Sequence, residues 1–449
     1  MVDQQKTYFM RRIRGERAML MLPFNVVLVG RVRGVVEPSR VAAILAQLRA
    51  RHPMLAVRVQ IEEDGTASFI SKGVPALTVN TESRQSREQW LDRIKEEFQT
   101  PFPLATGPLV RCTLLCSEEV CEVILCGHHV VCDGMSLGYL LRDLLDRLSL
   151  AKQEPEQQII PPPIDRTTVP SPPSTNWLVR FIMHRINKRW ARKGIRFTES
   201  DMYQMHEKFW RKNKAIKILA WSLEPETTAD LVERCRSENV TVNAALWTAF
   251  LAAQYDVQGD KKSYRQRSAL AVSTREKLNV SAGESFGFYA SSLTVTLPYS
   301  PQLAFWDNAR RIHKRILDEL STSNLFRMLS SENIHPTLLD SLYFQKYDLL
   351  NEVMPARLLR KMRWDRITYG YALTNVGRFD IPTTYGSLKL EALYGPLFYS
   401  DVEEKMIGVI TVGGRLSFLF ASNTSVIDDP SGLRDAAMRH LEKAIGVNT

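Results

Sequence analysis

Leu125-Cys126-Gly127-His128-His129-Val130-Val131-Cys132-Asp133-Gly134-Met135-Ser136-Leu137 is the stretch whose reading decides the fold. Before it lie two apolar, β-prone runs, Leu109 to Cys116 and Cys121 to Val130, separated by the short polar turn Ser117-Glu118-Glu119. That pattern predicts a hairpin. After it, Leu137, Leu140, Leu141, Leu144, Leu145 and Leu148 recur at helical spacing, so an amphipathic helix packs one face on a core. Ser136 is the expected cap of its first turn. The two histidines, Asp133 and Gly134 therefore sit where a strand ends and a helix begins.

Working outward, Phe24 to Gly34 reads as a strand and Val41 to Leu48 as a helix ending before Pro53. Leu55 to Gln60 is a further strand, and Ser86 to Phe98 a second helix. Lys152 to Ser174 is dense in proline and excludes both helix and central strand, so a linker is placed there. A second α/β half follows, with strands at Ala215–Leu223, Ala269–Ser273 and Ser291–Leu297 and helices at Pro225–Ser237 and Val242–Tyr255. Gly413-Gly414, between Ile407–Val412 and Leu416–Ala421, is the strongest hairpin signal. The expected division is 1-155, 156-214 (linker and basic helix) and 215-449. At 449 residues two domains are the natural prior, and a cleft between two α/β halves is where small molecules usually bind.

The residue types in the central stretch suit acyl transfer from a thioester. The electrophile is already activated and a thiolate leaves readily, so the acceptor, which must lose its proton, is the partner needing help. A neutral histidine titrating near pH 7 is the side chain for that task. If the strand continues, His128 and His129 point to opposite faces, and only one can serve a given pocket. Asp133 either orients the imidazole directly or fixes the loop by pairing with a distant cation. Gly134 permits a tight turn and a close approach to substrate. Taken as residue types alone, a histidine at a strand end is more often a surface or satisfied core residue than a base.

His128-His129-x-x-x-Asp133-Gly134 at a strand-to-helix junction resembles the signature of the superfamily related to chloramphenicol acetyltransferase, which includes condensation domains, wax ester synthases and polyketide-associated acyltransferases. Further elements match in order: Arg51-His52-Pro53-Met54-Leu55, Val272-Ser273-Thr274-Arg275 with Phe286-Gly287-Phe288, and Thr374-Asn375-Val376-Gly377. The resemblance implies an α/β fold of two chloramphenicol-acetyltransferase-like subdomains with a tunnel between them. It implies that His129 is the general base, that Asp133 is structural and paired with Arg275, and that Thr374 and Asn375 lie near the developing oxyanion. It further implies that no cofactor is resident. Acyl-CoA or an acyl-carrier-protein thioester would be the donor, and a hydroxyl, or alternatively an amine, the acceptor. A carrier-protein docking module without chemistry is the non-enzymatic alternative. The Asp-Phe-Gly-Trp-Gly motif of the plant branch is absent.

Two competing signals need weighing. Gly134-Met135-Ser136-Leu137-Gly138 spells the nucleophile elbow of serine hydrolases, with His440 available in triad order. The elbow needs a strand running directly into its first glycine, whereas Cys132-Asp133 intervene, so a hydrolase is disfavoured. Trp177 to Phe197 is a basic, partly amphipathic helix. The plainer expectation is that it packs its tryptophans on the domain. The functional alternative is contact with anionic lipid or an acidic carrier protein.

The formal charge of +10 favours anionic partners, yet no nucleic-acid motif appears. There is no Walker sequence, no G-x-G-x-x-G fingerprint and no metal-ligand spacing, so no metal is expected and the energy must arrive in the thioester. The charged N-terminus lacks the apolar run of a signal peptide. The six cysteines form no C-x-x-C pair and are expected to be buried and reduced. A cytoplasmic location is expected, with 177–197 as the route to any peripheral membrane contact.

Overall fold

The computed structural model describes residues 8–150, 157–172, 176–259 and 266–446. The start of the chain, the proposed boundary at 155/156 and both ends of the proline-rich linker fall outside them. Two six-stranded sheets dominate. From one edge, the first runs Thr384–Tyr385, Leu388–Leu397, Asn25–Arg33, Val120–His128, Val110–Cys116, Thr78–Ser83. Its neighbours are antiparallel except for the last pair, which is parallel. The second runs Ala290–Thr296, Arg267–Ser273, Tyr369–Arg378, Glu403–Val412, Arg415–Asn423, Ile216–Leu223. Met10–Arg12, Ala67–Ile70 and Arg58–Ile61 form a small third sheet.

The expected hairpin and helix around the histidines are present. Val110–Cys116 and Val120–His128 pair antiparallel, with Cys116 opposite Cys121. Helix Gly134–Ser149 buries all six of the leucines that announced it, each stabilising the fold by ~1.5–3 kcal/mol relative to exposure. It packs on Pro38–Arg51 and on the Asn25–Arg33 strand. At the other end of the chain, Gly413 and Gly414 take φ of 56° and 81°. A two-residue turn matching the twist of its flanking strands needs such values, which only glycine adopts freely.

Three expectations are corrected. The cap of helix Gly134–Ser149 is Asp133, whose carboxylate accepts from the Ser136 backbone N–H; Ser136 lies one turn inside. A carboxylate is the stronger acceptor there because it also complements the helix dipole. Cys116 and Cys121 form a disulfide, since ladder partners flanking a short turn bring their Cβ atoms together. Cys112, Cys126, Cys132 and Cys235 are free and buried, as expected. The cytoplasmic expectation drew on all six being reduced and loses that support.

The third correction concerns the lobes, which do not divide cleanly along the sequence. Leu388–Leu397, from the C-terminal range, pairs antiparallel with Asn25–Arg33 and completes the N-terminal sheet. The chain then returns to Glu403–Val412 in the other sheet. Contiguous ranges do not capture this exchange, and Phe398, the residue after the exchanged strand, lies beside His129.

Candidate active site

His128 and His129 end the Val120–His128 strand, and their backbones stay anchored. The His128 N–H donates to Leu109 O (2.9 Å) and the His129 N–H to Phe24 O (3.0 Å). Their side chains part as expected. His128 is buried at 6% exposure. Its Nδ1 accepts the Val130 N–H at 3.2 Å, so that nitrogen carries no proton. Burial, aided by the neighbouring His129, pushes its pKa down to about 3. It also lines an apolar cavity with Leu20, Met21, Phe102, Leu104 and Met205. It is a neutral wall residue.

His129 is half-buried and differently held. Its Nδ1 lies 2.9 Å from Cys132 O. A carbonyl oxygen only accepts, so Nδ1 carries the proton and Nε2 presents a free lone pair. Phe288 meets the ring edge-to-face at 5.0 Å, and Phe398 lies 5.4 Å away on another side. Phe288 leads into the Ala290–Thr296 strand of the second sheet, so the imidazole stands where the two lobes meet. Burial lowers its pKa, against the raising effects of the Cys132 bond and the Asp133 charge. The neutral, proton-accepting form is therefore favoured near pH 7.

Asp133 does not touch the imidazole. Its Oδ1 accepts from Ser136 N (2.8 Å), Ser136 Oγ (2.9 Å) and Arg275 Nη2 (2.7 Å), and its Oδ2 from the Tyr289 N–H (3.0 Å). Of the two roles open to it, loop fixation by a distant cation is the one the geometry contains. Arg275, 2% exposed, also donates through Nη1 to Gly283 O (2.9 Å) and Ser285 O (2.8 Å). Buried charges persist when paired and hydrogen-bonded in this way. This ionic clamp ties the motif loop to the Phe286-Gly287-Phe288 segment, because the Asp133 N–H also donates to Gly287 O at 3.2 Å.

Gly134 is required for a reason other than turning. Its φ lies outside the positive region, yet an added Cβ would stand 2.1 Å from Cγ and 2.3 Å from Cβ of Pro396. The close approach is to the exchanged strand rather than to substrate. Gly408 is pressed against the same residue, its Cβ position 2.0 Å from Pro396 O. Thr374 is the ladder partner of Gly408 and of Ala271, so packing leads from Gly134 through Pro396 to Thr374. Thr374 and Asn375 are half-buried on Tyr369–Arg378. Asn375 Oδ1 accepts the Gly377 N–H at 2.8 Å.

The serine-hydrolase geometry is not assembled. Ser136 is fully buried. Its Oγ accepts from Gly287 N (3.1 Å) and Arg275 Nη2 (2.7 Å), and its one proton faces both Asp133 Oδ1 (2.9 Å) and Gly287 O (2.7 Å). His440 pairs with Asp256 at 2.6 Å instead. Among the described residues no His, Cys, Asp and Glu cluster could hold a metal ion.

The Arg51-His52-Pro53 element serves packing. His52 Nε2 lies 2.9 Å from Asp143 Oδ2, which also accepts from Arg51 (3.0 Å). Arg142 bridges Asp143 to Glu284, linking the motif helix to the loop after Arg275. Sequence reasoning missed Phe398, Pro396 and the Cys132 carbonyl. Gly395-Pro396 inside an apolar run was the available sign of a bend, but nothing local tells where that bend lands.

Residues 3–162 match the family model described as the condensation domain. Among curated proteins, a linear gramicidin synthase from Brevibacillus parabrevis is 23% identical over 370 residues, covering 78% of this chain and 7% of the synthase. Cyclosporin synthetase from Tolypocladium inflatum is 25% identical over 285 residues, 57% of this chain and 2% of the synthetase. The chain thus spans only a small fraction of these relatives.

Solved structures share its fold along nearly the whole length. Trichothecene 15-O-acetyltransferase from Fusarium sporotrichioides superposes with TM-score 0.65 at 12% identity, covering 98% of this chain and 94% of that one. Polyketide synthase associated protein 5 from Mycobacterium tuberculosis gives 0.60 at 16%, covering 98% and 99%. The two-lobed α/β architecture implied by the motifs is the architecture found.

Proposed function

We propose that this protein transfers an acyl group from a thioester, borne by coenzyme A or an acyl carrier protein, to a hydroxyl, with His129 as general base. The observation that carries this is the His129 Nδ1 bond to Cys132 O, which leaves Nε2 unprotonated between Phe288 and Phe398. Nε2 takes the acceptor's proton as its oxygen attacks the thioester carbonyl. The tetrahedral carbon then expels the thiolate, which receives that proton from the imidazolium. A positioned base of this kind contributes ~10²- to 10⁴-fold.

The Asp133–Arg275 clamp holds the loop that positions the imidazole without entering the chemistry. Thr374 and Asn375 are the candidates for the oxyanion side. No metal and no bound cofactor is needed, and the thioester is a co-substrate. An amine acceptor is the second reading, favoured by the likeness to phosphinothricin tripeptide synthetase over 359 residues.

The test is product analysis by mass spectrometry. Acyl-CoA donors of graded length, and a loaded acyl carrier protein, are offered with alcohols and amines. Ester products dependent on enzyme and alcohol support the assignment. Amide products alone move it to the second reading. No product from any donor, including the carrier protein, would leave the docking module.

A further inference from the structure

Helix Trp177–Ala191 is attached to the body by its second half. Trp190 is 1% exposed, and its indole N–H donates to Thr337 Oγ1 at 2.9 Å. One turn earlier, Asn187 donates to Asn333 O (2.8 Å) and accepts the His335 N–H (2.9 Å). The first half has no such seat among the described residues. Trp177 is 76% exposed, Phe181 53%, and Leu178, Val179 and Ile182 close to half. The sequence expectation that this helix buries its tryptophans therefore holds for Trp190 and fails for Trp177.

Charge is distributed unevenly along the same helix. From 177 to 197 there are seven Arg or Lys residues and no acidic one. Arg185, Lys188, Arg189 and Arg192 form no ion pair among the described residues, and Arg185 lies over the Phe181 ring. The outcome is a mostly apolar tip, Trp177 to Ile182, interrupted by the exposed Arg180 and collared by further cations one to three turns behind it. Exposing that much contiguous apolar surface is unfavourable unless something covers it.

We propose that this helix docks the protein peripherally on an anionic bilayer surface. Trp and Phe would enter the headgroup–acyl boundary while the arginine and lysine heads remain at phosphate depth. A membrane fits better than an acidic carrier protein because five of the six tip residues are apolar and, Arg180 apart, the charge lies behind them. The apolar part then meets hydrocarbon and the collar meets phosphate, as in interfacial helices. Among the described residues no helix is long and apolar enough to cross a membrane, so the association is superficial and sensitive to salt. This inference does not depend on the chemistry proposed for His129.

The experiment is sedimentation of the full chain with vesicles of phosphatidylcholine alone, or with one-third phosphatidylglycerol. Expected is binding to the anionic vesicles that weakens with salt and falls at least ~10-fold in Trp177→Ser/Phe181→Ser. Arg185→Gln/Arg189→Gln should weaken it by roughly fivefold per charge removed. Both pairs lie outside the clamp and the His129 pocket, so acyl transfer to a soluble acceptor stays unchanged. Absence of anionic-vesicle binding, or binding indifferent to both variants, would overturn the proposal. So would vesicle indifference combined with variant-sensitive binding of an acidic carrier protein, or with variant-sensitive self-association.

Discussion

Replacing Arg275 with alanine strips the paired cation from a carboxylate sealed inside the protein. Asp133 and Arg275 are 4% and 2% exposed, their contact is 2.7 Å, and the other partners of Asp133 are neutral. Breaking a buried pair from one side costs ~3–5 kcal/mol, because the surviving charge stays desolvated. Asp133→Asn should cost a comparable amount, leaving the guanidinium unpaired. Removing both charges, as Asp133→Asn/Arg275→Ala, should cost less than the two losses together by at least ~2 kcal/mol. It will not be neutral, since the Gly283 and Ser285 carbonyls lose their donor. Chemical denaturation followed by near-ultraviolet circular dichroism measures all four forms. Losses that add within ~0.5 kcal/mol would show that the pair is not coupled, and the clamp would have to be abandoned as the device that fixes the motif loop.

Gly134→Ala drives a Cβ into Pro396, so a loss of ~1–3 kcal/mol is expected in the same denaturation assay; an unchanged midpoint would show that the exchanged strand does not press on the motif helix. Ser136→Ala removes a hydroxyl bonded on several sides, costing ~1–3 kcal/mol, while turnover persists. Abolished turnover with intact stability would instead restore the nucleophile. His128 supplies a pH test. Its folded pKa, about 3, lies below the unfolded value, so the unfolded chain binds the extra proton and stability falls as pH drops below 6.5. From pH 6.5 to 5 the loss from this residue alone is about 2 kcal/mol, and denaturation of His128→Asn at both pH values should show a correspondingly smaller drop.

Much of this organisation was legible because its signals are local. The leucine repeat after Gly134 sets a helix face, a proline cluster forbids regular structure, and Gly413-Gly414 permits positive φ. What escaped was non-local. Leu388–Leu397 pairs with residues more than three hundred positions earlier, and no periodicity states which edge a strand will join. Phe398 and Pro396 reach His129 and Gly134 only through that pairing. The Cys116–Cys121 bond lay closer to hand, because the same hairpin that was recognised makes those residues ladder partners. Asp133 and Ser136 were both polar groups at a helix start. Separating their roles required seeing which oxygen faces the Ser136 N–H. Within the site, the sequence named the acid, the cation and the imidazole. The resemblance already implied that the first two pair, as they do; only the structure shows that a backbone carbonyl holds the third.

The central claim is that the Nε2 lone pair of His129 drives transfer, and release of free thiol from an acyl-CoA in the presence of acceptor tests it most directly. Wild type and His129→Ala are compared at saturating donor, with folding checked by denaturation. Acceptor-dependent release should fall by ~10²- to 10⁴-fold in the variant, with the donor KM little changed. Release that survives His129→Ala within a few-fold would contradict the account and place the base elsewhere.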